Sequence, residues 1–228
     1  MPPSLPAPPP PAPPLHPAPS SSPSPSPPSP SPPPPSPSPP PQSPGRAGIL
    51  VYVMGPSGAG KDTLMAEARR RLPDRLVLAE RLVTRPVVAG SLDRHVTEER
   101  MARLARCGRL ALHWSCHGFG YGIEKAVDDS LRRGMAVLVN GSRGYFRRAL
   151  AVYPALVPIL ITAEPGILRA RLEGRAREGP GSISERLLRI DEGFDLAHEG
   201  LLTIDNSCGL EGAVELFLGH IRGRSASG

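Results

Sequence analysis

The stretch ILVYVMGPSGAGKDT, residues 49–63, decides the fold. Its first part, Ile49–Met54, is a short run of apolar and β-branched residues, which predicts a strand buried on both faces. Its second part is a glycine-rich turn that leads into Asp62–Leu72, a run of good helix formers that stops at Pro73. A buried strand, a glycine-rich turn and a helix in this order indicate an α/β fold whose ligands bind beyond the carboxyl ends of parallel strands.

The glycine-rich turn matches the pattern GxxxxGK at every fixed position. Its glycines let backbone N–H groups face phosphate oxygens, and the helix that follows adds the positive end of its dipole. The chain has 25 arginines and only two lysines, so a lysine at position 61 favours a functional role. We therefore predict that Lys61 is catalytic and that the phosphates of ATP bind Gly55, Pro56, Ser57, Gly58, Ala59, Gly60, Lys61, Asp62 and Thr63.

Asp62 stands where this pattern normally has serine or threonine, whose hydroxyl group ligates Mg²⁺. A carboxylate is a stronger ligand for a hard cation, and Asn140 ends a later apolar run, where many such enzymes carry an acidic residue for the metal. Two interpretations of Asp62 stay open: it ligates the Mg²⁺ that accompanies ATP, or it only stabilises the start of the helix. The predicted cofactor is Mg²⁺ with ATP.

Beyond the helix, short apolar runs alternate with helix-forming segments. The predicted strands are Leu76–Ala79, Leu110–Trp114, Met135–Val139, Leu156–Ile161 and Leu201–Ile204, and Gly118–Gly122 is predicted to be a turn or loop. The predicted helices are one capped by Thr97 that ends near Cys107, Ile123–Arg133, one from Pro165 toward Arg175, Ser182–Asp191 and Leu210–Arg222. This alternation predicts a three-layer α/β sandwich with a parallel sheet, the P-loop nucleoside triphosphate hydrolase fold.

Residues 1–44 differ in composition from the rest of the chain. They contain 25 of its 32 prolines, and no Asp, Glu, Lys or Arg precedes Arg46. Such a segment has too few large apolar side chains to offset the entropy of ordering, so we predict a disordered Pro/Ser-rich tail and a single folded domain over residues 45–228. The tail either has no role or is a ligand for a proline-binding groove, and its partner is unknown.

The charge and cysteine content narrow the classes of partner. The formal net charge of +6 belongs to residues 45–228, but aromatic residues are only 4% of the chain and no basic run stands out. This composition favours small phosphorylated ligands over nucleic acid. Three cysteines without a CxxC pair indicate reduced thiols in the cytoplasm, and the lack of an 18-residue apolar run predicts no membrane partner.

From residue 48 to about residue 222 the chain resembles the guanylate kinase branch of the P-loop kinases. Four stretches carry this resemblance: GPSGAGKDTL (55–64), VTRP (83–86), LHWSCHGFGYG (112–122) and RLEGRAREGPGSISERL (171–187). The last resembles the mobile lid of that family, in which Arg171, Arg175 and Arg186 match basic positions. The resemblance implies that Arg175 and Arg186 are catalytic and close on the ATP phosphates, and that Arg85 and Tyr121 hold the phosphate of the acceptor; a solvated, arginine-rich helix end is the alternative for the lid.

The acceptor side departs from guanylate kinases. The second arginine of their TRxPRxGE pattern is missing, and His113 replaces the glutamate that reads guanine. The combination of GKD, HW and VNGSR resembles instead the ribose 1,5-bisphosphate phosphokinase family, which makes 5-phosphoribosyl 1-diphosphate (PRPP) from ribose 1,5-bisphosphate and ATP during phosphonate breakdown. That resemblance implies that Asn140, Ser142 and Arg143 join Arg85 and Tyr121 around a small sugar bisphosphate, although a plain strand-end turn remains an alternative for Ser142 and Arg143.

Two other functions stay open at this stage. The first is a nucleoside monophosphate kinase of the guanylate type, because the altered positions count against GMP without excluding another base. The second is a non-catalytic guanylate-kinase-like binding module, for which a proline-rich tail would be suitable. The intact glycine-rich loop favours an enzyme, a phosphotransferase with a phosphate group as acceptor.

Overall fold

The computed structural model describes residues 48–87, 91–174 and 194–226. The predicted tail, the predicted helix Ser182–Asp191 and the lid arginines Arg175 and Arg186 lie outside these residues. The described strands are β1 (Ile49–Met54), β2 (Leu76–Leu78), β3 (Arg81–Val83), β4 (Asp93–His95), β5 (Leu110–Cys116), β6 (Phe119–Glu124), β7 (Ala136–Asn140), β8 (Val157–Thr162) and β9 (Leu202–Asp205). The described helices are α1 (Lys61–Arg71), α2 (Glu98–Arg106), α3 (Ala126–Arg132), α4 (Phe146–Val152), α5 (Pro165–Glu173) and α6 (Leu210–Ala226).

Five parallel strands form the main sheet, in the order β2-β7-β1-β8-β9. Strand β1 is central and contacts apolar layers on both faces. Val51 and Val53 pack with residues of α1, α5 and α6 on one face, and Tyr52 packs with residues of α3 and α4 on the other. Alternate side chains of a strand point to opposite faces, so a run without polar residues fits between two helical layers. The three-layer α/β architecture with a parallel main sheet is confirmed.

A second sheet has the order β4-β3-β6-β5, with β3 antiparallel to β6 and β6 antiparallel to β5. The prediction of a turn or loop over Gly118–Gly122 was therefore wrong, and the helix expected from Ile123 begins at Ala126. Glycine stands in β6 because helix α2 packs closely there: a Cβ atom at Gly122 would lie 3.0 Å from the sulfur of Met101. The chain reverses instead at His117 and Gly118, whose φ angles are 53° and 76°.

The helix boundaries follow local capping signals. Thr97 is the N-cap of α2, and its hydroxyl oxygen accepts a hydrogen bond from the backbone N–H of Arg100 at 3.2 Å. Pro165 occupies the first turn of α5, where its missing N–H group has no effect on the helix. None of the helices in the described part of the chain combines the length and the apolar composition that a membrane span requires.

Candidate active site

The glycine-rich loop follows directly on the carboxyl end of the central strand β1. Gly55, Gly58 and Gly60 have φ angles of 144°, 88° and 87°, which side chains with a Cβ atom rarely adopt. A Cβ atom at Gly55 would also lie 2.0 Å from the carbonyl oxygen of Ile161 in the neighbouring strand β8. Both the backbone conformation and the space therefore require glycine, and the predicted order of strand, loop and helix is present.

The ammonium group of Lys61 lies against the start of this loop. Its Nζ atom donates hydrogen bonds to the carbonyl oxygens of Gly55 and Pro56, each at 2.9 Å. The contact keeps a positive charge at the loop, beside backbone N–H groups and the N-terminus of α1. Charge of this sign in this place suits the phosphates of a nucleotide.

Asp62 and Asn140 meet beside the loop. The Nδ2 atom of Asn140, at the end of β7, donates a hydrogen bond of 2.6 Å to the Oδ1 atom of Asp62. The residue at the N-cap of α1 is Gly60, which has no side chain with which to cap the helix. Asn140 is only 7% exposed, and its Oδ1 atom has no hydrogen-bond partner among the described residues. An exposed carboxylate next to an unpartnered amide oxygen is a donor set that fits a hard divalent cation.

The segment from Asn140 to Arg143 is fixed onto the central strand by Tyr52. The phenol oxygen of Tyr52 accepts a hydrogen bond from the backbone N–H of Ser142 at 3.0 Å and donates one to the carbonyl oxygen of Ser142 at 3.1 Å. Burial raises the pKa of Tyr52, so its phenol stays protonated and serves as donor and acceptor together. Gly141 lies against the same ring. The sequence did not identify Tyr52 as a site residue, because the contact spans 90 positions.

Arg85 belongs to a cluster centred on Asp93. Its Nη2 atom donates a hydrogen bond of 2.6 Å to Asp93, and Arg81 donates two more to the same carboxylate from its Nε and Nη2 atoms. Arg81 also donates to the carbonyl oxygen of Asn140 at 3.1 Å. The carboxylate therefore orients both guanidinium groups beside the end of β7. Arg81 was missed from the sequence, and the signal for it is an arginine in a short strand otherwise made of Leu82 and Val83.

Tyr121 and Arg143 have different neighbours. Tyr121 lies in β6 and is paired with Trp114 of the neighbouring strand β5. The guanidinium group of Arg143 lies 4.5 Å from the centre of the Phe194 ring. Of the residues predicted to hold the acceptor, Arg85, Tyr121 and Asn140 are thus connected through Arg81, whereas Arg143 contacts Phe194.

Arg171 lies next to the glycine-rich loop. Its guanidinium group donates to the carbonyl oxygens of Gly58 at 3.4 Å and Asn206 at 2.9 Å. The side chain of Asn206 in turn donates to the carbonyl oxygen of Ala59 at 2.8 Å. Asn206, which follows β9, therefore stabilises the loop through a hydrogen bond. The sequence signal for it is an asparagine just after a short predicted strand. Arg175 and Arg186 lie outside the described residues.

Comparisons with known proteins give curated relatives of one name and a solved structure that shares the fold. No family model matches the chain. The ribose 1,5-bisphosphate phosphokinase PhnN of Desulfomicrobium baculatum is 48% identical over 163 residues, which is 69% of this chain and 86% of the relative. The protein of the same name from Pseudomonas paraeruginosa is 41% identical over 182 residues, 78% of this chain and 98% of the relative. Among solved structures, the guanylate kinase of Anaplasma phagocytophilum has a TM-score of 0.59 at 18% identity, covers 79% of this chain and 88% of that chain, and shares the fold.

Proposed function

Because this chain belongs to the ribose 1,5-bisphosphate phosphokinase family, we propose that it transfers the γ-phosphoryl group of ATP to ribose 1,5-bisphosphate and forms PRPP and ADP. The phosphate on carbon 1 is the acceptor, and the enzyme would serve phosphonate breakdown. The observation that carries the proposal is the similarity over almost the full length of these relatives, together with an intact glycine-rich loop beside a fixed acceptor loop.

The reaction requires that the two substrates are positioned and that their negative charge is neutralised. The nucleophile is a phosphate oxygen that is already ionised at neutral pH, so no general base is needed. Transfer then depends on bringing two polyanions into line and on stabilising the charge of the migrating phosphoryl group. The glycine-rich loop follows β1 and the acceptor loop follows its hydrogen-bonded neighbour β7, so both loops lie at the same edge of the sheet.

The proposed roles divide between donor and acceptor. Lys61 neutralises charge on the transferring group, and Arg175 and Arg186 close on the ATP phosphates from the lid. Arg85, Tyr121, Asn140, Ser142 and Arg143 hold the sugar bisphosphate. The contacts of Arg81 support this acceptor set. Arg81 and Arg85 both donate hydrogen bonds to Asp93, and Arg81 also donates one to the backbone carbonyl oxygen of Asn140. Both guanidinium groups therefore lie beside the end of β7.

Asp62 and Asn140 would hold the Mg²⁺ that accompanies ATP. Bound there, the cation supplies positive charge that neutralises the β- and γ-phosphates and the carboxylate itself. Asp62 offers a carboxylate oxygen, and the amide of Asn140 orients that carboxylate while its own Oδ1 atom remains without a described partner.

Replacing Asp62 by alanine is expected to raise the free Mg²⁺ concentration for half-maximal activity by about tenfold, because a charged oxygen ligand is lost. The measurement is the turnover rate at saturating ATP as a function of free Mg²⁺. Asp74→Ala, which removes an exposed carboxylate just beyond α1, is the matched control and should keep the wild-type dependence. An Asp62→Ala variant with unchanged Mg²⁺ dependence would exclude the metal role and leave only an effect on the helix.

A coupled ADP-release assay tests the proposed reaction. The highest kcat/KM is expected with ribose 1,5-bisphosphate, compared with GMP and AMP at equal concentrations, and phosphorus NMR should show the diphosphate product. A higher kcat/KM with a nucleoside monophosphate would assign the chain to the nucleotide kinases instead. Failure to bind ATP in the presence of Mg²⁺ would favour a binding module.

Deleting residues 1–44 is expected to leave kcat and both KM values within about twofold of the full chain, because the segment lacks the apolar side chains needed to pack against a domain. The same ADP-release assay on the two proteins makes the comparison. A large loss of turnover in the shortened protein, with its folding intact by circular dichroism, would show that the tail contributes to the working enzyme.

A further inference from the structure

A buried carboxylate lies between two arginines in the second sheet. Asp93 of β4 is opposite Arg81 in the β3–β4 register, and its side chain is only 6% exposed. The Oδ1 atom of Asp93 accepts a hydrogen bond from the Nε atom of Arg81 at 2.8 Å. Its Oδ2 atom accepts one from the Nη2 atom of Arg81 at 3.1 Å and one from the Nη2 atom of Arg85 at 2.6 Å. One carboxylate therefore holds two guanidinium groups in the same place.

The two arginines differ in their exposure and in their other contacts. The side chain of Arg81 is 14% exposed, and its Nη1 atom also donates to the backbone carbonyl oxygen of Asn140. The side chain of Arg85 is 33% exposed. Arg81 is thus largely enclosed by protein groups, whereas Arg85 has surface left for a ligand.

The second arginine gives this cluster a net positive charge. A carboxylate paired with a single guanidinium group is neutral as a pair, and a neutral pair attracts a phosphate only weakly. Arg81 and Arg85 together carry two positive charges against the single negative charge of Asp93, so one positive charge remains. Solvent and salt screen partly buried charges less than exposed ones, so the remaining charge acts strongly on a ligand beside the cluster.

An anionic acceptor requires a guanidinium group that is held in one direction and whose charge is not cancelled by its neighbours. We propose that Arg81 is a positioning residue of the acceptor site that preserves this charge: Asp93 fixes the direction of Arg85, and Arg81 offsets the negative charge of Asp93. Arg85 then acts on a phosphate of the acceptor with a full positive charge. This inference rests on the proposed function, in which Arg85 holds the acceptor, and it adds roles for two residues to which that function assigns none.

The first test removes the charge of Arg81 and keeps a hydrogen-bond donor. Arg81→Gln should raise the KM for ribose 1,5-bisphosphate about tenfold, while the KM for ATP stays within about twofold of the wild-type value. Arg94→Gln is the matched control in the same sheet, because the guanidinium group of Arg94 pairs with Glu80 and Glu124 instead. This control should keep both wild-type KM values.

The second test restores the charge balance without restoring the arginine. Arg81→Gln/Asp93→Asn removes one positive and one negative charge, so one positive charge again remains in the cluster. The KM for ribose 1,5-bisphosphate should return to within about threefold of the wild-type value. Urea denaturation of each protein separates binding from stability, because a purely structural role of the ion pair would change the free energy of unfolding without raising the KM for the acceptor alone.

The outcomes separate this proposal from the proposed function. Wild-type protein without activity on ribose 1,5-bisphosphate would contradict the proposed function itself. If the wild type is active, an unchanged KM for the acceptor in a folded Arg81→Gln variant would overturn only the role of Arg81, and so would a double variant whose KM is no lower than that of Arg81→Gln. Should Arg81→Gln fail to fold, the double variant decides: a KM for the acceptor raised by more than about threefold over the wild type would overturn the proposal.

Discussion

Replacing Lys61 by alanine should reduce kcat by two orders of magnitude or more, the usual cost of removing one group that stabilises charge in the transition state. The ammonium group lies at the loop, 2.9 Å from two of its carbonyl oxygens. Phosphoryl transfer spreads negative charge over the migrating oxygens, and the variant would lack one positive charge that offsets it.

Lys125 provides a matched control for Lys61, because the chain contains no third lysine. Lys125 is exposed and precedes α3, where it makes no side-chain cap. Lys125→Ala should therefore keep the wild-type kcat and the wild-type KM for ATP. Steady-state kinetics of both variants make the comparison, and a Lys61→Ala protein that retains more than about a third of the wild-type kcat would contradict the assignment of the loop.

Replacing Gly141 by alanine should lower the free energy of unfolding by about 3 kcal/mol or more, at the upper end of the cost of overpacking. A Cβ atom at this position would lie 2.1 Å from the Cζ atom of Tyr52 and within 2.5 Å of two further ring carbons. The Tyr52 ring is fully buried and its hydroxyl group is bonded to Ser142, so the ring has no free direction in which to move. Urea denaturation of the variant measures the loss.

Two further proteins make this test specific. Gly219 lies at an exposed helical position, and an added Cβ atom would have no described atom from outside its own helix turn within 4 Å. Gly219→Ala should therefore stabilise the protein by about 0.5–1 kcal/mol. The double variant Gly141→Ala/Tyr52→Leu should be more stable than the sum of the two single changes predicts, because a smaller side chain gives the new methyl group room. A Gly141→Ala protein as stable as wild type would show that the acceptor loop can move away from Tyr52 without lowering the free energy of unfolding.

The part of the fold that the sequence could predict is the part that local signals specify. Strand β1, the glycine-rich loop and α1 follow one another within about 25 positions, and each has its own signal: an apolar run, a set of glycines and a run of helix formers. The remaining strands of the main sheet were predicted for the same reason, since each is a compact apolar run. Their parallel arrangement then follows from the helices between them.

Apart from β5, which the sequence predicted over Leu110–Trp114, the second sheet could not be predicted in this way. Strands β3 and β4 have three residues each, and β4 reads Asp93-Arg94-His95, without any apolar alternation. Besides the backbone pairing of β3 with β4, an ion pair joins Arg81 to Asp93, a contact between side chains 12 positions apart. In β6 the glycines indicated a turn, whereas they mark close packing against α2.

In the candidate site, too, single residues could be predicted from local signals but their contacts could not. Asp62, Asn140, Ser142 and Arg85 could each be named from a motif or from a resemblance. Their partners could not, because the bond from Asn140 to Asp62 and the bonds from Tyr52 to Ser142 join residues 78 and 90 positions apart. Such contacts depend on the order of strands in the sheet, which spacing along the chain does not reveal.

In the pairing of β1 with β7, Val53 lies opposite Asn140. This register sets the distance between the glycine-rich loop and the acceptor loop. One residue of a strand spans about 3.3 Å, which is also about the distance at which two reacting atoms must be held. An insertion or deletion of a single residue within either strand would therefore displace one substrate from the other by a full reaction distance. We therefore expect insertions and deletions among related enzymes to be absent from these two strands.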